Sequence, residues 1–563
     1  MEITLFYNCT ILTMDPNDSE ASAMAIFQDK IIAVGSEKDV RNRTAQFREK
    51  NRLEGGEKPS LREIDLNGAC IVPGFIDAHM HPGIYIFYKT QRSLSGVRGY
   101  SDLKRILGEE AKKCGEGQWV VGFDLMEDVF EKPEERRFPN RYDLDEISSE
   151  HPVLVLRHDG HICAVNSLAL KIMGIDKSNV AEKTVEAGEI KVEENGEPTG
   201  VFTEAATAIP LGFMPLPDLQ RFLEAGRMFS QELASYGITT CGGVVQLGEE
   251  GPAGKAGTFE IPLIQGLIKE GLIEQDFVFY VITTQPGELK NVEKSFQGLG
   301  VGEGRFQVGG IKRFADGTFG AFTAAMFEPF SDSPQRSKGF FMTDEESLFE
   351  IIEETYKLGY QVLIHAIGDR ANRWVVDLYK RVVKTSKSKE GGQLRIEHAS
   401  VLTPDVIRDS ADLGIVLVCQ PMFIDSEYTW LEKRLGPERI KNVYPFRSII
   451  DAGIVLAGAS DAPVESARVL KALQVCVTRN GFVPEQAITI TEALKMFTLN
   501  AAYALGQEKI KGSLEEGKLA DFVILERNPK SVLPNRIADI KILATYHRGR
   551  LIYFQNENEK YSD

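Results

Sequence analysis

The sequence predicts an α/β fold: a distorted (β/α)8 TIM barrel with an inserted α/β lobe, and a small β-sandwich built from both chain termini. Two observations predict this architecture. Between the termini, short apolar runs alternate with helical patterns, which is typical of parallel α/β structure. Histidine, lysine or aspartate stands at the ends of five of these runs, and barrel enzymes carry their chemistry at the C-terminal ends of strands.

Eight apolar runs supply the predicted barrel strands. The first ends in His79 and His81, and the others lie at residues 237–240, 277–282, 311–314, 361–365, 394–398, 415–419 and 453–461. Helical patterns separate them, so each run is expected to be a parallel strand followed by a crossover helix. Because the count reaches eight, we expect the sheet to close into a barrel.

The two chain ends read as β-structure. Strand-like runs lie at residues 3–7, 24–27 and 30–35, and again at 521–525, 542–546 and 551–554. Neither set has enough strands to bury its own apolar face. We therefore predict that residues 1–66 and 506–563 form one composite β-sandwich beside a barrel domain of residues 67–505.

The connection between the first two barrel strands is unusually long. A single helix would suffice, yet about 83–215 separates them, and loops of that length are rare. This stretch contains strand-like runs at 119–123 and 153–157. We predict an inserted lobe over the barrel mouth that shapes the substrate pocket.

The first strand carries half of a metal site. His79 and His81 should point to the same side of the strand, because residues i and i+2 share a face. Neutral imidazole is a standard ligand for zinc and its neighbours in the first transition row. A strand end that happens to carry two histidines is the structural alternative.

The other candidate ligands also have structural explanations when each is taken alone. Lys312 could be a surface cation with an apolar stem, Asp461 a helix N-cap, and His365 or His398 a hydrogen-bonded core residue. Together they stand at five strand ends in the order His-x-His, Lys, His, His and Asp. That order favours a shared site.

The whole set resembles the amidohydrolase superfamily in its dinuclear, lysine-bridged form. Local phrases resemble the amidohydrolase-3 branch, which includes N-substituted formamide deformylases. These phrases are GH at 160–161, NS at 166–167, PTGV at 198–201, KRFADG at 312–317, HAIGDRA at 365–371, RIEHA at 395–399 and SDAPV at 460–464. The resemblance extends over nearly the whole chain.

The resemblance implies a ligand set and its cofactors. The implied metal ligands are His79, His81, Lys312, His365, His398 and Asp461. They would hold two divalent metal ions, with Zn²⁺ as the predicted metal, and an N6-carboxylated Lys312 would bridge them. His79 and His81 would hold the more buried ion, and His365 and His398 the more exposed one.

The resemblance also implies two substrate-binding residues, His161 and Asn166. A structural role for His161 within the inserted lobe is the alternative.

This ligand set implies a hydrolase that cleaves a non-peptide C–N bond in an amide, formamide or cyclic amide. A metal-bridging hydroxide would attack the carbonyl carbon, because metals lower the pKa of bound water to about 7. Asp461 would accept the proton and pass it to the leaving amine, which makes it the predicted catalytic residue.

Three alternatives remain open at this stage. A lactone or ester hydrolase would use the same hydroxide. A mononuclear deaminase of this superfamily places a glutamate three residues after the strand-5 histidine, where this chain has Gly368. A non-catalytic scaffold would be expected to lose some ligands, and metal content separates it from an enzyme.

Composition limits the partners. The formal net charge of -17 disfavours nucleic acid, whose phosphates reward basic residues. The 7 scattered cysteines, and an N-terminus without a secretory pattern, suit a reduced cytoplasm. We expect a cytoplasmic enzyme that acts on a small molecule, without nucleic acid or membrane partners, and a homo-oligomeric state is left open.

Overall fold

The first five strands of the chain belong to one sheet, and apolar side chains of the N-terminal strands form a buried cluster. The computed structural model describes residues 2–52, 57–157, 160, 162–183, 188–214, 218–249, 254–299, 304–333, 336–386 and 391–555. The N-terminal strands are β1 (Glu2–Leu12), β2 (Glu20–Phe27), β3 (Lys30–Gly35), β4 (Ser60–Asp65) and β5 (Cys70–Pro73), with helix α1 (Glu37–Lys50) between β3 and β4. Strands β1, β2 and β3 are antiparallel neighbours, and β1 also pairs in parallel with β4 and β5. The Ser36 side chain accepts the amide of Asp39 and so caps α1.

The chain then enters the barrel through β6 (Phe75–Met80) and leaves it at once. Residues 82–229 and 245–267 form a separate compact unit with its own six-stranded sheet, in the order β11-β12-β10-β9-β8-β7. The strands are β7 (Arg92–Ser93), β8 (Val120–Leu125), β9 (Val153–Arg157), β10 (Ile162–Val165), β11 (Gly188–Val192) and β12 (Pro198–Glu204). An apolar cluster covers each face of this sheet.

Two helices of this part of the chain, Tyr100–Ala111 and Leu219–Ser235, have more than ten residues, and the others are shorter. They are α2 (Pro82–Lys89), α3 (Tyr100–Ala111), α4 (Arg141–Asp145), α5 (Ser167–Met173), α6 (Ala208–Leu211), α7 (Leu219–Ser235) and α8 (Glu260–Lys269). The predicted lobe of about 83–215 falls inside the compact unit, which also takes in most of α7 and α8.

The barrel strands follow one another in chain order, as the sequence predicts. After β6 they are β13 (Ile238–Gln246), β14 (Asp276–Ile282), β15 (Phe306–Phe314), β16 (Gln361–Ala366), β17 (Leu394–His398), β18 (Val416–Cys419) and β19 (Leu456–Gly458). The registers among them are parallel. Inward-facing apolar side chains from these strands form one buried cluster.

Two backbone hydrogen bonds draw the chain after the last strand back to the first. The amide of Asp461 donates to the carbonyl of His79 at 2.9 Å, and the amide of His81 donates to the carbonyl of Ala462 at 2.8 Å. The predicted (β/α)8 barrel is confirmed.

The remaining helices surround these strands or follow them. They are α9 (Leu289–Gln297), α10 (Glu345–Lys357), α11 (Asp369–Thr385), α12 (Pro404–Leu413), α13 (Met422–Glu427), α14 (Leu431–Leu435), α15 (Phe446–Asp451), α16 (Val469–Thr478), α17 (Ile490–Met496) and α18 (Leu499–Ala504). Among the helices that the structure describes, none has the length and apolar character needed to cross a bilayer.

Both chain termini meet in a single sheet. Strands β20 (Phe522–Leu525), β21 (Ile542–His547) and β22 (Arg550–Phe554) extend the N-terminal strands through the antiparallel pair β20–β5. The rings of Phe6, Phe522 and Tyr546 pack with centroids 4.5–5.5 Å apart, so residues of both ends share one core.

The prediction of a sandwich for these strands is not confirmed. All eight strands are hydrogen-bonded into one sheet, in which β1 pairs with β4 along its first part and with β5 near its end, and β5 pairs with β20. The pairing of β1 with β2 carries a register shift between Tyr7 and Ile11, an irregularity that disrupts the ladder locally and bends the strand.

A buried charged cluster ties the C-terminal segment to the start of β14. His547 lies between two carboxylates, 3.0 Å from Asp276 and 3.0 Å from Asp521. Lys511 Nζ donates to Asp276 at 2.7 Å and to Thr240 at 2.7 Å. Burial alone would raise the pKa of Asp276, but Lys511 and His547 hold it well below its usual range.

The same arrangement gives His547 a pH-dependent role in stability. Burial would lower its pKa, but the charges of Asp521 and Asp276 raise it above the ordinary value. A raised pKa contributes stability that is complete below the unfolded value of about 6.5 and is lost as the pH rises through the folded value. We expect His547→Gln to lower the thermal midpoint more at about pH 6 than at about pH 9. Differential scanning calorimetry at both pH values checks this, and an equal loss at both would contradict it.

Candidate metal centre

Three of the predicted ligands meet where the first and last barrel strands end. His79 is fully buried on β6 and His81 follows it with 12% of its side chain exposed. Asp461 Oδ1 lies 3.3 Å from His79 Nε2 and 3.2 Å from His81 Nε2. Ligand atoms of all three lie within 4.8 Å of one another, which is close enough to share one ion.

The other two histidines continue the group across the barrel. His398 ends β17, and its ring centroid lies 5.6 Å from that of His79 and 4.4 Å from that of His365 on β16. His398 and Asp461 both have left-handed backbone conformations, with φ of 71° and 61°. Such conformations are strained for residues other than glycine and concentrate at functional sites.

Lys312 lies on β15, buried to 1% exposure, with its Nζ 4.1 Å from the centroid of the Phe314 ring. Burial lowers its pKa to about 8, against the opposing charges of Asp461 and Glu397. The Phe314 ring in turn contacts His365, with centroids 5.5 Å apart. The structure therefore brings all six predicted ligands to one end of the barrel.

Hydrogen bonds fix which nitrogen each buried histidine leaves free. His79 donates from Nδ1 to Glu397 at 2.6 Å, and His398 donates from Nδ1 to the Gln420 side chain at 2.9 Å. His365 donates from Nε2 to the carbonyl of Gly317 at 3.1 Å. The lone pairs therefore sit on Nε2 of His79, Nε2 of His398 and Nδ1 of His365.

The charge states of these groups suit a divalent metal. Burial and the nearby lysine lower the pKa of His365 to about 3, and burial with His365 lowers that of His398, so both rings are neutral and able to bind a metal. Burial would lower the pKa of His79, but Asp461 and Glu397 raise it above its ordinary value. Burial would raise the pKa of Asp461, but the approach of His79 and His81 holds it well below its usual range. Within the described ranges, His79 Nε2 and Asp461 Oδ1 are buried without a hydrogen-bond partner. Neutral imidazoles, one carboxylate and two orphaned polar atoms fit a bound metal ion.

Three residues that support the ligands were not assigned a role from the sequence. Glu397 holds His79, Gln420 holds His398, and Asp77 accepts the amides of His79 at 3.2 Å and Ser460 at 3.1 Å. Burial raises the pKa of Asp77 to about 6. The sequence did contain a signal for Glu397, because Arg395 and Glu397 are two charged residues at positions i and i+2 of an otherwise apolar barrel strand.

Of the two predicted pocket residues, the structure describes Asn166, which lies in the inserted lobe. His161 falls outside the described residues. Asn166 is buried and caps α5, where its amide oxygen accepts the amides of Ala169 and Val153. Its NH₂ group donates to the carbonyls of Ser148 and His151, both at 2.9 Å. These four bonds give Asn166 a structural role in the lobe.

The model of one protein family matches residues 62–553, which is most of the chain, and its description is "Amidohydrolase family". The chain belongs to the amidohydrolase family. The family predicted from the sequence is therefore confirmed, and with it the prediction that this chain is an enzyme of the amidohydrolase type.

Three proteins similar to this amidohydrolase match it over nine tenths or more of their own lengths. Protein LONG AFTER FAR-RED 3 of Arabidopsis thaliana is 30% identical over 98% of this chain and 91% of its own. The N-substituted formamide deformylase of Arthrobacter pascens is 26% identical over 98% of each chain. The crystal structure of a metal-dependent hydrolase from Pyrococcus horikoshii is 25% identical, with a TM-score of 0.71 over 94% of this chain and 99% of its own.

The amidohydrolase site also depends on a glycine that leaves no room for a side chain. Gly368 follows β16, its amide donates to Asp316 at 2.8 Å, and an added Cβ would overlap the backbone carbonyl of Ala325. We expect Gly368→Ala to cost about 1–3 kcal/mol of stability, because the backbone around it must shift. Gly266→Ala is the control, since a Cβ there meets open space on helix α8. Chemical denaturation measures both, and equal stability of the two variants would contradict the prediction.

Proposed function

We propose that this amidohydrolase hydrolyses a non-peptide C–N bond in a small amide, formamide or cyclic amide. The observation that carries the proposal is the position of Asp461, an ionised carboxylate within 3.3 Å of two imidazoles at the mouth of the barrel. An N-substituted formamide deformylase among the relatives supports the bond type.

The donor set supports two divalent metal ions, with Zn²⁺ as the proposed metal. His79 and His81 would hold one ion, His365 and His398 the other, and Asp461 completes the set. Metal bound there would lower the pKa of a water molecule and polarise the carbonyl of the substrate.

Lys312 is proposed to act as an N6-carboxylated lysine. Its neutral amine would add to carbon dioxide and lose one proton, which gives a carbamate with two oxygens for the metal ions. The pKa of about 8, lowered by burial, supports the neutral amine that this addition requires.

Asp461 is proposed to carry the proton through the reaction. Its carboxylate is ionised before the reaction and can take the proton that the attacking water loses. The protonated carboxyl then donates to the leaving nitrogen, so that an amine departs rather than an amide anion. His79 and His81, whose rings are both largely buried, lie within 3.3 Å of this carboxylate.

An aromatic ring beside His398 is a candidate contact for the substrate. The ring of Phe423, on α13 after β18, lies nearly parallel to that of His398 with centroids 5.9 Å apart. An apolar substituent close to the scissile bond would be accommodated there.

The structure of the strand-5 loop argues against the deaminase alternative. A proton-shuttling glutamate at position 368 would need a side chain where Ala325 leaves no space. A lactone or ester hydrolase would use the same groups, so a substrate panel discriminates. We expect the zinc-loaded enzyme to turn over N-formyl, N-acyl or cyclic amides faster than the matched esters and lactones, and the reverse order would favour the alternative.

Replacement of Asp461 tests the proton carrier. Asp461→Asn keeps the size of the side chain but removes its basicity, so we expect turnover to fall by about 10²–10⁴. The thermal midpoint should stay close to that of the wild type. Steady-state kinetics on a substrate found in the panel measures the effect, and near-normal turnover would place the proton carrier elsewhere.

Replacement of Lys312 tests the carbamate. The wild type should retain about two zinc ions per chain after desalting, and Lys312→Ala should retain fewer, because the bridging anion is gone. A short carboxylic acid added to Lys312→Ala should restore part of the metal content and activity. Elemental analysis and activity with and without the acid measure this. Full zinc content in Lys312→Ala without the acid would contradict the proposal.

A further inference from the structure

An arginine and a glutamate are both completely buried inside the barrel, directly beneath the first histidine of the site. Arg395 and Glu397 are two residues apart on β17, so their side chains share the inward face. The cluster that fills the barrel interior is otherwise made of apolar side chains such as Val278, Leu363 and Val418.

All three nitrogens of the Arg395 guanidinium donate hydrogen bonds. Nε donates to Glu397 Oε1 at 3.0 Å, and one terminal nitrogen donates to Glu397 Oε2 and to the carbonyl of Ala78, both at 3.2 Å. The other terminal nitrogen donates to the Tyr280 hydroxyl and to the carbonyl of Ala504, both at 2.9 Å. Five bonds match the five N–H groups of a guanidinium, so the group is fixed on three sides of the barrel.

Glu397, held by Arg395, in turn holds the ring of His79. Arg395 holds both carboxylate oxygens, and Oε2 also accepts the proton of His79 Nδ1 at 2.6 Å. Glu397 is completely buried between the guanidinium of Arg395 and the ring of His79, so both partners hold it in one position. A carboxylate held in this way keeps the proton on Nδ1 and the lone pair on Nε2.

Stability alone is a weak reason for an ion pair to be buried here. Desolvation of two charges costs so much that apolar residues of similar volume often give equal or greater stability than a buried ion pair. The remaining layers of the barrel show that apolar residues fit there.

We propose that Arg395 and Glu397 are positioning residues that set the tautomer and orientation of His79 for metal binding. The inference rests on the proposed function, since it concerns the metal that the site would hold. Because Glu397 meets His79 at Nδ1, whereas Nε2 is the nitrogen that faces Asp461, the proposed role of the glutamate is to orient a ligand. The guanidinium also makes the pair neutral overall, so it adds no net charge beneath the site.

The test removes both charges together and measures zinc affinity separately from stability. The double variant Arg395→Met with Glu397→Gln leaves no unpaired buried charge and keeps side chains of similar length. We expect its thermal midpoint to stay near or above that of the wild type, while zinc binds 10–100-fold more weakly. Competition with a chromophoric chelator measures the affinity, and ¹⁵N NMR of the histidine rings reports the tautomer of His79.

Asp521→Asn is the matched control. It removes a buried carboxylate 3.0 Å from the imidazole of His547 and leaves all six proposed ligands in place. This variant should lose stability and keep the zinc affinity of the wild type.

Three outcomes decide between the proposals, and a second variant serves if the first does not fold. Weaker zinc binding in the double variant, with normal binding in Asp521→Asn, supports the positioning role. Wild-type zinc affinity in the double variant overturns that role and leaves the proposed function standing. A wild-type protein that binds no zinc overturns both. If the double variant does not fold, Glu397→Asp takes its place, because it keeps the charge but is one methylene too short for the 2.6 Å bond to His79.

Discussion

The amide of Asp461 donates to the carbonyl of His79, and the amide of His81 donates to the carbonyl of Ala462. These two bonds join the end of the barrel to its beginning, and the site depends on them. Ligands separated by about 380 residues meet only because the parallel strands between them follow one another in order and curve round to close. The same bonds fix how the first and last strands align, and this alignment places both imidazoles beside one carboxylate oxygen of Asp461.

Buried polar side chains hold both the backbone and the imidazole rings of the ligands through hydrogen bonds. Asp77 holds the backbone at both ends of the closure, since it accepts the amides of His79 and Ser460. Glu397 and Gln420 hold the imidazoles of His79 and His398. Because each of these groups is buried, the ligands have little freedom to rotate, and such rigidity reduces the entropy that a metal ion must overcome when it binds.

Much of this could be predicted from the sequence, for a physical reason. A parallel barrel strand is apolar until its C-terminal end, so a histidine or aspartate there stands out, and the period of two indicates which face it takes. The long-range pairing of the terminal strands could not be predicted in the same way. The antiparallel pairing of β20 with β5 leaves no mark on the apolar pattern of either strand, yet it joins the two chain ends into one sheet. The role of Asn166 was also hidden, because an asparagine before a helix can cap it or face a pocket with the same local sequence.

The single sheet shared by the two termini bears on the order in which the molecule can assemble. Strand β5 runs directly into β6, and its outer edge is covered by β20, which lies some 450 residues later in the chain. During synthesis that edge stays open until nearly all of the chain has left the ribosome. Contacts of such sequence separation form late, because closing a long loop costs entropy before any pairing repays it. The segment that presents His79 and His81 is thus among the first to be made and among the last to be secured.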